Sequence, residues 1–180
     1  YFSDTESYNI RVYDVTSGEI TAEYKQAFMP ERIYWLSGGK MAYTSNRTLY
    51  IVDISGEVLW KYPAEESMRD IEIYDFDFTT DERKIVIGGE ISQAQKTTLE
   101  FVWSDIFVLD LDKNTLLNIT KGKGYHSFDP IWRDTDDIFA YESEMDGDFE
   151  IYVSDPDGQN MLQITENEYE DTSPAWRSME

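Results

Sequence analysis

Cysteine is absent from this sequence of 180 residues, and histidine occurs only once, as His126. The chain therefore forms no disulfide, and it offers neither thiolate ligands for a metal nor a cysteine nucleophile. A single imidazole also excludes metal centres and proton relays that are built from several histidines. The composition thus predicts a chain without a cofactor, unless a cation is held by oxygen ligands alone.

Sequence motifs of common enzymes are also missing. No Gly-x-Ser-x-Gly segment provides the nucleophile elbow of an α/β-hydrolase. The glycine-rich stretch at residues 121–124 has neither the spacing nor the Ser/Thr of a phosphate-binding loop. These absences predict a chain that carries no catalytic residues of its own.

Basic residues are few: 15 Lys and Arg stand against 37 Asp and Glu, which gives a net charge of −22. A field of this sign repels phosphate backbones and anionic lipids, so we expect no nucleic-acid partner. The same field favours basic proteins, peptides or cations. Solubility or adaptation to high salt is an alternative explanation of the charge.

Long apolar runs and helical patterns are lacking as well. No run approaches the length that spans a bilayer, so we expect no membrane insertion. No stretch combines helical periodicity, a cap and sufficient length. Because 41% of the residues are hydrophobic and 15% are aromatic, the chain can still bury a core. These features together predict an all-β protein.

What the sequence does contain is a repeat, in which each copy reads apolar, any residue, Val or Ile, any residue, Asp. One copy is Ile151-Tyr152-Val153-Ser154-Asp155, and the aspartates that close the four copies are Asp14, Asp53, Asp110 and Asp155. They lie 39, 57 and 45 residues apart, which brackets the length of one propeller blade. A turn follows each aspartate, so we expect its carboxylate to accept hydrogen bonds from that turn rather than to bind a metal.

An aromatic residue occurs near the end of the first strand of each repeat. The four positions are Trp35, Phe78, Trp132 and Trp176. Because aromatic rings dominate burial, we expect them to pack as wedges between neighbouring sheets rather than to form a platform for a ligand.

These motifs resemble the TolB-like β-propeller repeat family. The repeat of that family opens with Asp-x-x-Pro-x-Trp, continues with Ile-Tyr-Val-x-Asp-x-x-Gly and closes with Leu-Thr. Here the opening is matched by Asp171, Pro174 and Trp176, the middle by residues 151–158, and the close by Ile119-Thr120 and Ile164-Thr165. The match is specific over residues 105–176 and loose over residues 1–100.

The repeats and this resemblance imply a β-propeller of four-stranded antiparallel blades. About four blade equivalents are expected, at residues 29–62, 70–120, 127–165, and 166–180 together with 1–27. The last blade is then shared between N- and C-terminal strands. Many propellers close their ring in this way. A segment of a longer array fits the same pattern. A ring that does not close within one chain favours a homodimer, since a sheet face is otherwise uncovered.

Two segments of the predicted propeller share one rim. The first is the long insertion at residues 89–104, with Phe101 and Trp103, and the second is the connection with Lys121, Lys123, Tyr125 and His126. Long loops on a rigid scaffold commonly carry binding sites, so we predict a binding rim with Trp103 or Tyr125 as its anchor. The alternative is that the insertion only extends the outer strands and packs locally.

Two acidic turns have oxygen ligands that suit calcium. They are Asp146-Gly147-Asp148 and residues 155–160. Neither matches the full twelve-residue calcium loop, and ordinary turn chemistry explains both. Calcium is therefore kept as the alternative to a chain without a cofactor.

The sequence predicts a non-catalytic propeller that binds a protein or peptide, with basic partners favoured by the charge. The first alternative is an accessory domain of a larger enzyme, such as a serine peptidase or a polysaccharide lyase, whose catalytic residues lie outside this chain. A second alternative is calcium or glycan binding at the rim. The family resemblance implies a periplasmic or extracellular location.

Overall fold

The computed structural model describes residues 8–26, 28–63, 71–91, 103–121, 124–133, 135 and 137–177. Contacts between residues divide the chain into two units, residues 1–69 and 70–180. Within the described ranges the 3-10 turn Ser37–Gly39 is the one helical segment, and no helix is long and apolar enough to cross a membrane.

The first unit contains a two-stranded and a four-stranded antiparallel sheet, and in both the strands follow one another in sequence order. The smaller sheet is β1 (Tyr8–Tyr13) with β2 (Ile20–Gln26), and the larger is β3 (Pro30–Leu36), β4 (Lys40–Ser45), β5 (Thr48–Asp53) and β6 (Val58–Tyr62). Apolar side chains of β1, β4 and β5 form the core of the first unit: Ile10, Val12, Met41, Tyr43 and Val52. Apolar and polar residues alternate along β1, which therefore buries one face and exposes the other.

The second unit consists of two four-stranded antiparallel sheets, again in sequence order. One sheet is β7 (Ile71–Phe78), β8 (Lys84–Ile91), β9 (Ser104–Asp110) and β10 (Thr115–Asn118). The other is β11 (Ser127–Trp132), β12 (Phe139–Ser143), β13 (Glu150–Ser154) and β14 (Met161–Gln163). The all-β fold and the four-stranded antiparallel blades that the sequence predicts are confirmed.

The blade that the sequence divides between the two ends is described only in part. Strands β1 and β2 occupy the places of its third and fourth strands. The sequence further predicts that residues 174–176 pair with residues 1–3 in this blade, and residues 1–3 lie outside the described ranges. Residues 171–177 are described and form no strand. The shared fourth blade therefore stays a prediction.

The four repeat aspartates make the turn hydrogen bonds that the sequence predicts. In every case a carboxylate Oδ1 accepts from a backbone N–H of the turn that follows. The N···O distances are 2.7 Å for Thr16 to Asp14, 2.8 Å for Ser55 to Asp53, 2.9 Å for Lys113 to Asp110 and 2.9 Å for Gln159 to Asp155. Such bonds favour the ionised carboxylate, and the pKa of each of the four lies below its ordinary value.

The threonine that closes each of the last two repeats has a similar structural role. Thr120 Oγ1 accepts the backbone N–H of Ile106 at 3.0 Å and donates to the buried carboxylate of Asp105 at 2.7 Å. In the next blade Thr165 Oγ1 accepts the N–H of Ile151 at 2.8 Å. In both blades the fourth strand has ended before this point, so the threonine hydroxyl accepts a third-strand N–H that would otherwise lack a partner from the fourth strand. This explains why Ile-Thr recurs at the end of the repeat.

Trp132 lies between the two sheets of the second unit. It is 4% exposed, and its ring belongs to a buried cluster with side chains from β8, β9, β12 and β13. Its backbone N–H also donates to Asp77 Oδ2 of β7 at 2.8 Å, which ties the first strands of the two blades together. The position is buried as the wedge prediction requires.

The other three aromatic positions differ from Trp132. Phe78 and Trp176 are half-buried. Trp35 is 61% exposed, so its predicted burial is wrong. Ile33 of the same strand is also exposed, at 51%. An aromatic residue in the right place of the repeat is therefore not sufficient for burial.

Candidate binding surface

Four aromatic side chains of the second unit form a continuous row, called the aromatic row below: Trp103, His126, Phe128 and Phe149. The ring centroids are 4.9 Å apart for Trp103 and His126, 5.5 Å for His126 and Phe128, and 6.1 Å for Phe128 and Phe149. The rings of His126 and Phe128 are stacked, with 9° between their planes. All four residues are half-buried, so each presents part of its surface to solvent.

The row is assembled by the starts of three strands. Trp103 directly precedes β9, and Phe149 directly precedes β13. His126 precedes β11, and Phe128 is the second residue of that strand. Because side chains two residues apart in an extended chain point to the same side, His126 and Phe128 stack on each other. The sheets therefore hold the row in place.

Hydrogen bonds fix the orientation of His126. Its Nδ1 accepts the backbone N–H of Ser104 at 3.3 Å. Its own backbone N–H donates to Glu144 Oε2 at 3.3 Å, and its carbonyl accepts the N–H of Glu144 at 3.1 Å. A backbone N–H thus holds the imidazole and Glu144 holds the main chain of His126, so that the ring lies between Trp103 and Phe128.

The structure places the predicted rim residues in different environments. Trp103 and His126 come together, so the end of the insertion and the connection are neighbours. The Tyr125 hydroxyl donates to the Thr120 carbonyl at 3.3 Å, and burial raises the pKa of this half-buried side chain. Lys121 is exposed. Phe101 and Lys123 lie outside the described residues, and a binding role for any of the six stays a prediction.

Two members of the row, Phe128 and Phe149, were not among the predicted rim residues. Two sequence features could have pointed to them: Phe128 is two residues after His126, and Phe149 comes just before the Ile-Tyr-Val strand. Neither signal shows that the two rings meet, since the contact joins segments from different strands of one blade. Only the packed sheet brings them within reach.

Carboxylates border the row. Glu144 accepts the N–H of His126, and Glu170 Oε2 accepts the N–H of Phe149 at 3.3 Å. A partner that covers the rings therefore meets negative charge at both places. The surface combines an apolar stripe with an acidic border.

A third carboxylate, Glu142 of β12, gives a pH-dependent prediction. Glu142 is 7% exposed, and its Oε2 accepts the N–H of Ser173 at 2.8 Å. Burial raises its pKa above the ordinary 4.5, and this outweighs the hydrogen bond, which lowers it. A raised folded pKa contributes stability that is present below the unfolded pKa and lost as pH rises through the folded value.

The isosteric change Glu142→Gln should therefore leave the Tm near that of the parent below pH 4.5 and raise it above the parent as the pH increases. The glutamine oxygen can still accept from Ser173, so the hydrogen bond is kept. Thermal unfolding of both proteins across this pH range measures the difference, with Glu57→Gln as a surface control. A variant that is less stable than the parent at neutral pH would contradict the prediction.

A second surface of this unit is an apolar groove on one face of the sheet from β11 to β14. Leu162 and Ile164 on this face are 61% and 53% exposed. The other lining residues are mostly apolar: Ile138, Ala140, Ile151, Val153, Thr165, Pro174, Ala175 and Trp176. A face of this composition suits contact with another sheet. The predicted homodimer is one way to cover it, and it stays a prediction.

Solved structures of β-propeller proteins share this fold. TolB from Acinetobacter baumannii matches with a TM-score of 0.61 and 15% sequence identity, over 92% of this chain and 39% of that one. The complex of KlAtg21 with the coiled-coil of AgAtg16 contains a chain that matches with a TM-score of 0.59 and 12% identity, over 87% of this chain and 47% of that one. The β-propeller domain of Cps50 (Swd1) from Myceliophteria thermophila matches with a TM-score of 0.51 and 15% identity, over 88% and 54%.

These matches show the fold: the chain is built of β-propeller blades, as its repeats predict. The chain spans 39% to 54% of the length of the three structures. No protein-family model matches the sequence, and no curated protein sequence matches it. Identities of 12% to 15% carry no assignment of activity.

Proposed function

We propose that this chain is a non-catalytic propeller scaffold that binds a protein or peptide of basic character through the aromatic row. The observation that carries the proposal is the row itself: four half-buried rings in mutual contact on the second unit. Aromatic side chains presented by a rigid scaffold supply most of the energy in typical protein interfaces. A buried core would have enclosed these rings, whereas here they remain partly open.

Charge supports a basic partner. The net charge is −22, and Glu144 and Glu170 contact the backbone of the row. Such a field accelerates encounter with cationic segments and rejects acidic ones. The chain of similar fold in the complex with the coiled-coil of AgAtg16 is a precedent for a protein partner on such a scaffold. The periplasmic or extracellular location implied by the resemblance remains part of this proposal.

The test is a binding titration with synthetic peptides of equal length, either basic with one aromatic residue or with every charge inverted. We expect the basic peptides to bind, and Trp103→Ala to weaken that binding about tenfold or more, as for an interface anchor. Raising the salt concentration should weaken binding further, because exposed charges are screened.

The matched control is Trp35→Ala, which removes an equally large exposed ring from the first unit. This variant should bind the basic peptides as the parent does. Equal loss in both variants, or no loss in Trp103→Ala at equal folded protein, would place the site elsewhere. Preference for the charge-inverted peptides would contradict the basic partner.

A further inference from the structure

Three carboxylates converge at the hairpin between β12 and β13. Asp146, Asp148 and Glu150 each offer an oxygen, and these oxygens lie within 4.8 Å of one another. The three residues span the hairpin from outside to inside, since Asp146 is exposed, Asp148 is half-buried and Glu150 is buried. Gly147 between the two aspartates has a φ of 125°, which a residue with a side chain rarely adopts. The turn lets both aspartates face the same point.

Glu150 is the unusual member of this group. It is 0% exposed, and its Oε1 accepts the backbone N–H of Asn167 at 2.8 Å. Its Oε2 is buried and has no hydrogen-bond partner among the described residues. Removing a carboxylate oxygen from water without a compensating donor or cation is destabilising. Turn formation alone accounts for the aspartates, but it gives no reason for this oxygen.

The charge of the group has no cationic partner among the described residues. Asp146 accepts a hydrogen bond from the Gln163 side-chain amide, which is neutral. Across the described ranges, no Lys, Arg or His forms an ion pair with any of the three carboxylates. The three carboxylates repel one another at this separation, and Glu150 is buried away from water that would screen the repulsion. A cation in this place would relieve both the burial and the repulsion.

We propose that Asp146, Asp148 and Glu150 form a binding site for Ca²⁺. The donors are oxygens only, which suits Ca²⁺ and does not suit Zn²⁺, whose protein sites use mainly nitrogen and sulfur. Ca²⁺ accepts irregular shells of carboxylates, carbonyls and water, whereas Mg²⁺ demands a near-ideal octahedron. The exposed side of Asp146 leaves room for the waters that complete such a shell.

The site does not depend on the proposed peptide binding, and it is tested without a peptide. Phe149 of the aromatic row lies between Asp148 and Glu150 in the sequence. A bound cation would therefore also hold the hairpin that presents this ring. If the peptide titration fails, the proposed cation site is unaffected. If the cation does not bind, the proposed peptide binding is likewise unaffected.

The experiment is thermal unfolding and titration calorimetry of the chain, first stripped with chelator and then given CaCl₂ or MgCl₂. Saturating Ca²⁺ should raise the Tm by about 4 °C or more, since it binds the folded state only. Asp148→Asn should weaken Ca²⁺ binding about tenfold or more, because it removes one charged ligand. Glu19→Gln, an equal charge change on an exposed residue of the first unit, should bind Ca²⁺ as the parent does.

Glu150→Gln gives a second test, because the substitution should raise the Tm in chelator but abolish the rise in Tm that CaCl₂ causes. In chelator the variant should have a higher Tm than the parent, since a buried carboxylate oxygen without a donor is gone while the Asn167 N–H keeps its acceptor. In CaCl₂ the rise in Tm should be lost. The proposal is overturned if the parent shows neither heat nor a Tm shift, if Asp148→Asn and Glu150→Gln both respond like the parent, or if Mg²⁺ binds as tightly as Ca²⁺.

Discussion

Replacing Trp132 with alanine should lower the free energy of unfolding of the second unit by about 3–5 kcal/mol, as for other large buried aromatics. The ring is 4% exposed and meets Phe139 edge-on at a centroid distance of 5.2 Å. Side chains of β8 and β9 close the other side of the same cluster, so the cavity lies between two hydrogen-bonded sheets that cannot easily collapse into it. The indole Nε1 is buried and has no hydrogen-bond partner among the described residues, so its removal offsets part of the loss.

Urea unfolding of parent and variant, followed by near-ultraviolet circular dichroism, measures this effect. Trp35→Ala is the matched control, because the same ring is removed from a position that is 61% exposed, and it should change the free energy by less than about 1 kcal/mol. A Trp132→Ala variant that unfolds at the urea concentration of the parent would show that the two blades do not pack through this ring.

Deleting residues 169–180 should destabilise the second unit by about 3–5 kcal/mol and broaden its unfolding transition. The Ser173 N–H is the donor to the buried carboxylate of Glu142, at 2.8 Å. The Trp176 Nε1–H donates to the Ile131 carbonyl at 3.0 Å, and the Asp171 N–H to the Phe149 carbonyl at 2.6 Å. Loss of the first bond matters most, because a buried charge then has no donor.

Differential scanning calorimetry of the truncated chain measures the change in Tm and in cooperativity. The control ends at Arg177, so it keeps the three hydrogen bonds and should melt within about 2 °C of the parent. Size-exclusion chromatography in parallel reports whether the uncovered sheet face leads to association. If the longer deletion melts like the parent and stays monomeric, these contacts do not stabilise the unit.

The strands and turns were predictable because their signals are local. The Ile-Tyr-Val-Ser-Asp pattern alternates with the period of a strand and ends in a residue that hydrogen-bonds its own turn. The observed bonds at Asp14, Asp53, Asp110 and Asp155 follow from this chemistry without any distant contact. Blade order was predictable for the same reason, since each strand pairs with the next one in the chain.

The candidate site was predictable only in part. Trp103 and His126 were expected on one rim, and the structure places their rings 4.9 Å apart. Phe128 and Phe149 complete the row through contacts that link β11 to the hairpin before β13. No spacing in the sequence encodes that contact, because it depends on the twist and register of a folded blade.

The sequence by itself determined the all-β class, the four-stranded blades, the turn aspartates and the acidic charge, because each follows from short-range pattern or from composition. Tertiary structure alone decided which aromatics are buried: Trp132 is covered by a neighbouring sheet, and Trp35 is not. It also decided that Glu150, which in sequence resembles any glutamate at the start of a strand, is fully buried, with one oxygen that has no partner in the described part of the chain. Burial depends on what packs against a strand face, and that partner comes from residues far away in the chain.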